Sequence, residues 1–242
     1  MTKLARWVLP GVALALLLAA CGGGSGGGGG GIESPPVIPP APAPISVNVA
    51  AAWHDYISAP HSWSMPGKGA DAHAYELSVA MQPGASARFP LTGASGKTSA
   101  QSLRFSTDGV TTASSDGTLY LNGDTLLGVA TSNGACSAPR AAMAALPASS
   151  RVGTTGAMFV LNGYDGCTSA GQHLGATTFS WSIESDAALT MFCLVSRSED
   201  ASGAYSGTEV DCIEALVTGT LGTRAKFTLN RPDGASITGK NY

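Results

Sequence analysis

Charge is scarce in this sequence: Asp, Glu, Lys and Arg make up 12% of its 242 residues, and the net charge is −3. That balance excludes the basic patch that nucleic-acid binding calls for. Catalytic and metal signatures are missing as well. From Ile45 onward there is no G-x-S-x-G nucleophile elbow, and nowhere an H-E-x-x-H or C-x-x-C spacing. Gly96-Lys97-Thr98 has the ending of a phosphate-binding loop, but Leu91 stands where its first glycine belongs. Long apolar runs are lacking too. The longest, Trp7 to Ala20, spans fourteen residues, short of the ~20 that cross a bilayer as a helix.

That short run has a different use. It follows Lys3 and Arg6 and so reads as the positive and apolar parts of an export signal. An ordinary cleavage site wants a small residue three positions before the cut, and Leu18 is too large. Leu18-Ala19-Ala20-Cys21 resembles the lipobox of bacterial lipoproteins, a likeness confined to residues 1–21. The resemblance implies removal of residues 1–20, a lipid on the Cys21 thiol and an acylated (palmitate-type) new amine, with the membrane as partner. Two or more acyl chains hold where one binds only marginally. Gly22 rather than Asp after the cysteine is similar to lipoproteins sorted to the outer membrane. Without the signal, 11 basic residues face 16 acidic ones, a net −5.

Residues 21–44 read as a linker in two halves. Cys21 to Gly31 is nearly pure glycine, a coil spanning ~18 Å. Ser34 to Pro44 holds six prolines, which favour an extended form of ~3.1 Å per residue.

Residues 45–242 form one domain. Asn48 is a suitable cap for a helix from Val49 to Ile57. Beyond Pro60 the period changes to two: Tyr75, Leu77, Val79 and Met81 alternate with small or polar residues, as in a strand with one buried face. Ser62–Met65 is its expected partner across a loop at Pro66–Gly69. Further strands are expected at 87–91, 101–107, 110–113, 118–121, 125–131, 157–161, 177–183, 189–196, 210–218 and 224–230. Turn dipeptides punctuate them: Asp108-Gly109, Asp116-Gly117, Asn122-Gly123, Asn133-Gly134, Asn162-Gly163, Asp165-Gly166 and Asp233-Gly234. A second short helix is expected over Arg140–Leu146, capped by Ser137, with Pro139 in its first turn and Pro147 as its stop. The fold class is therefore all-β, an antiparallel β-sandwich or β-barrel with one or two short helices.

With Cys21 given to lipid, Cys136, Cys167, Cys193 and Cys212 remain. An even count in an exported chain predicts two disulfides. A hairpin centred near Ser202-Gly203 puts Cys193 opposite Cys212, which leaves Cys136 for Cys167.

One polar cluster stands out: His54, His61, His73 and Asp71, with Asp55 and Glu76, near Trp53, Tyr56 and Trp63. Such residues suit a zinc site or an acid/base pair, but no tight ligand spacing joins them. Trp53 and Tyr56, at i and i+3, suit a helix that covers a barrel end. The sequence thus points to an envelope lipoprotein displaying a non-enzymatic binding or assembly module, with no cofactor and with a protein or glycan partner. The alternative is a periplasmic hydrolase or metal-binding protein built on His54, His61 and His73.

Overall fold

In the computed structural model, residues 45–168 and 171–242 are described; the signal, Cys21 and linker readings lie outside them. The elements are β1 (Ser46–Val47), α1 (Val49–Ser58), β2 (His61–Gly69), β3 (Ala74–Arg88), β4 (Ser95–Thr107), β5 (Val110–Asn122), β6 (Thr125–Thr131) and β7 (Cys136–Pro139). There follow β8 (Ser150–Arg151), β9 (Thr155–Tyr164), β10 (His173–Asp186), β11 (Leu189–Asp200), β12 (Tyr205–Ala215), β13 (Leu221–Asn230) and β14 (Ser236–Lys240).

Twelve of these strands, β2–β7 and β9–β14, close into an antiparallel barrel, while β1 and β8 pair as a small ladder of their own. Nearly every strand pairs with its neighbours in sequence, the simplest way to remove sheet edges. The seam closes where β14 pairs β2, with Gly239 opposite Gly67. A side chain at Gly67 would meet the Thr238 carbonyl, and one at Gly239 the Phe227 ring. Only glycine lets the two strands meet beneath that ring.

The helix covers one end of the barrel. Asn48 caps it, its Oδ1 accepting the Ala51 N–H at 3.0 Å. Val49, Ala52, Trp53, Tyr56 and Ile57 are buried, at the i, i+3, i+4, i+7, i+8 spacing of one helical face. Trp53 Nε1 donates to the Asp124 carbonyl at 2.7 Å, and Asp55 Oδ2 accepts the Leu221 N–H at 2.9 Å. These bonds tie the helix to the β5–β6 and β12–β13 turns. Inside the barrel, Tyr56 stacks between Trp53 and Trp63, each ring centroid 6.0 Å away.

The second expected helix does not form. Cys136–Pro139 is strand β7, with Pro139 opposite Leu161, and the chain beyond bends and runs irregularly beside β9. Arg140 and Ala144 donate their N–H groups to the carbonyls of Val160 and Met158, while Met143 and Leu146 pack on the core. Burying those two side chains outweighs the local preference of alanine for helix. Three expected breaks are also absent. Pro66–Gly69 belongs to β2, Asp116-Gly117 to β5 and Asn162-Gly163 to β9. Gly117 pairs on both sides, with Gln101 and Thr131, as does Gly163 with Gly175 and Ser137. A residue held in two ladders has no freedom left to turn. The segments expected at 110–113 and 118–121 are accordingly one strand, and 87–91 is the end of β3 and its turn.

Both disulfides are present, Cys193 with Cys212 and Cys136 with Cys167. Cys193 and Cys212 sit directly opposite each other in the β11–β12 ladder. Two such bonds suggest an extracytoplasmic domain.

Candidate functional site

Alternation along β12 sets the site. Cys212 lies on the outer face, in a small buried cluster with Met191 and Cys193 covered by Tyr242. Glu209, Asp211 and Ile213 therefore face the lumen. Their partners on β13 are Leu229, Phe227 and Ala225, and on β11 Ser196, Leu194 and Phe192. Two carboxyl groups thus stand on an otherwise largely apolar stretch of wall.

The lumen is closed at one end by α1 and open at the other, where the turns at 70–73, 108–109, 201–204 and 231–235 form the mouth. Two cavities open there. One of about 580 Å³ has Tyr75, Leu77, Leu103, Phe105, Leu229 and Ile237 in its wall. The other, of about 460 Å³, is bounded by Leu161, Leu174, Phe179 and the backbone of Gly163 and Gly175. Glu209 lines both. Such volumes fall within the ~300–1,000 Å³ of small-molecule sites. The Cys136–Cys167 bridge pins the loop after β9 to the base of β7, beside the second cavity.

The carboxyl pair is held in an unusual state. Asp211 is half-buried, and burial raises its pKa well above the ordinary carboxylate range, helped by the charge of Glu209 and a hydrogen bond with it. Burial also raises Glu209, while the bond it accepts from Asp211 pulls the other way. Burial thus pushes both acids of the pair upward, Asp211 the further. Asp211 Oδ1 is shielded from solvent and has no hydrogen-bond partner. Deeper in, the Tyr56 hydroxyl accepts from Gln101 Nε2 at 3.1 Å, and its pKa is raised by burial and then by the charge of Asp211.

The histidine cluster does not assemble. His54, exposed on α1, pairs through Nδ1 with Asp124 Oδ1 at 2.6 Å. His61 lies on Trp63, centroids 4.7 Å apart, and donates Nε2–H to the Asp55 carbonyl at 2.9 Å. His73 is at the mouth, 2.6 Å from Asp108 Oδ2, and that hydrogen bond, with the Asp108 charge, raises its pKa. Asp71 accepts from the Tyr75 hydroxyl at 2.6 Å, which lowers its own pKa. Each histidine has a carboxylate to itself. Among the described residues, the one set of His, Cys, Asp and Glu atoms close enough to share an ion is Glu184, Cys193 and Cys212. Those two sulfurs are bonded to each other, and a metal ligand must be a thiolate.

Glu209 and Asp211 escape sequence reading because lone acids at a strand start look solvated. The signal was nonetheless there: a strand carrying Cys212 on one side must put Glu209 and Asp211 with Ile213 and Ala215 on the other.

The fold and site define a disulfide-stabilised, closed β-barrel with an accessible lumen. Comparison with protein-family models, with curated proteins and with solved structures gave no match.

Proposed function

We propose that this chain is a lipid-anchored protein of the bacterial envelope, held in the outer membrane through Cys21, whose barrel binds a small, mainly apolar molecule in its lumen without transforming it. The Leu18–Cys21 motif with Gly22 supports the anchor, and the two disulfides fit an oxidising compartment. The observation that carries the binding reading is the apolar-walled lumen, floored by α1 and open at the opposite end. The three histidines, each tied to a different carboxylate, lend no support to the hydrolase or metal-binding alternative.

The neutral dye N-phenyl-1-naphthylamine tests this. It is expected to bind saturably with a blue-shifted emission, and Leu103→Arg, which puts a charge in the wall of the larger cavity, is expected to weaken it at least tenfold. Unsaturable dye binding, or binding indifferent to Leu103→Arg in a folded variant, rejects the lumen as the site.

A further inference from the structure

The charged groups of the lumen narrow the ligand class. Glu199, Glu209 and Arg231 are the charged residues that line the two cavities. Arg231 is tied at the mouth to Asp233, 3.1 Å away, and Glu199 lies 3.9 Å from Arg197. Glu209 instead turns to a second acid. It lies between the cavities, between Leu229 on one side and Ser196 on the other, and takes its hydrogen bond from Asp211.

Two carboxyl groups side by side on one face accept far more hydrogen bonds than they donate. Asp211 stands deeper on the same lumen face and is not in the wall of either cavity, so Glu209 is the carboxyl group that an occupant meets. Buried acceptors left unmet are costly, and a charged donor relieves them best. Glu209, set between the two cavities, disfavours an anion there, and a neutral hydroxyl leaves its charge unbalanced. An ammonium group answers both needs, carrying several N–H donors and a positive charge. Leu77, Leu103 and Phe105, which line the larger cavity together with Glu209, suit an alkyl or aryl body.

We propose that the lumen selects apolar molecules ending in a primary ammonium group, the head docked on Glu209, with Asp211 behind it, and the body against Leu77, Leu103 and Phe105. This specificity rests on the lumen-binding reading given above.

Calorimetric titration of the purified protein with octylamine, octanol and octanoate tests it, because the three differ chiefly in the head group. Octylamine is expected to bind about 10- to 100-fold tighter than octanol, as charge-assisted hydrogen bonds imply, and octanoate weakest. Glu209→Gln is expected to abolish the preference, so that octylamine and octanol bind the variant with similar affinity. Asp211→Asn, which keeps the shape of the wall, is expected to reduce the preference in the same direction, and it decides the matter if Glu209→Gln fails to fold. Equal affinity for amine and alcohol overturns the specificity and leaves the lumen reading standing, as does an amine preference that survives both substitutions. If none of the three binds, both readings fall.

Discussion

Asp211 and Cys212 are neighbours in the chain yet stand on opposite sides of the barrel wall. Asp211 hydrogen-bonds Glu209 inside the lumen, and Cys212 is bonded to Cys193 on the outer face. One strand thus carries both a staple and an ionisable site, and the two are separable by mutation.

For the carboxyl pair the expected effect is on stability against pH. Both acids titrate higher folded than unfolded, mainly through burial. Between the two pKa values the native state binds more protons, so their contribution falls as pH rises from about 4 through the raised values. Carboxylates held low, such as Asp186 beside Lys226, act in the opposite sense at more acid pH. The difference between Asp211→Asn and the parent protein isolates the pair. Urea unfolding is expected to show the variant gaining on the parent steadily above about pH 4; a constant difference from pH 4 to 8 would contradict the upward shift of the pair.

The staples are expected to differ in size by loop length. Closing the span from Cys193 to Cys212, a separation of 19 residues, contributes about 3 kcal/mol in the chain-entropy account, and the 31-residue separation of Cys136 and Cys167 about 4 kcal/mol. Denaturant unfolding of each paired Cys→Ala variant measures both. Loss of Cys136–Cys167 is expected also to loosen the mouth, seen as faster amide exchange in the loop after β9, whereas loss of Cys193–Cys212 is not.

Covering the closed end depends on Trp53. The ring is buried, and its Nε1–H satisfies the Asp124 carbonyl. Trp53→Ala is expected to cost about 3–5 kcal/mol, and Asn48→Ala, which removes only the cap, about 1 kcal/mol. Thermal or urea unfolding compares the two, and similar losses would mean that α1 contributes by its cap rather than by its aromatic face.

Anchoring is expected to require one atom. Cys21→Ser removes the thiol that the Leu18-Ala19-Ala20-Cys21 motif would present for lipid. The variant is expected to lose labelling by radioactive palmitate and to leave the membrane fraction. Continued labelling sinks the lipoprotein reading.

Much of the barrel was legible because strands that face a core on one side alternate visibly, as Tyr75, Leu77, Val79 and Met81 do. Cysteine register was legible for the same reason: Cys193 falls opposite Cys212 once the hairpin is centred. What misled were local signals overruled by pairing. Asn162-Gly163 has the composition of a turn, but two neighbouring strands hold it extended. The alanines from Arg140 favour a helix until Met143 and Leu146 find the core. The site lay hidden for a different reason. Nothing in Glu209 or Asp211 announces burial; only closure of the barrel brings apolar neighbours around both.

The small ladder of β1 and β8 fixes where the chain joins the barrel. Ser46 and Val47 pair with Arg151 and Ser150, and the Asn48 N–H reaches the Val217 carbonyl, all at the end covered by α1. Anything that grips the chain upstream of Ile45 therefore holds the vessel by its base, at the pole opposite its mouth. A pull along that attachment meets the β1–β8 ladder first and then the Asn48–Val217 hydrogen bond. The opening lies at the far pole, so the point of attachment and the entrance to the lumen do not compete for the same rim.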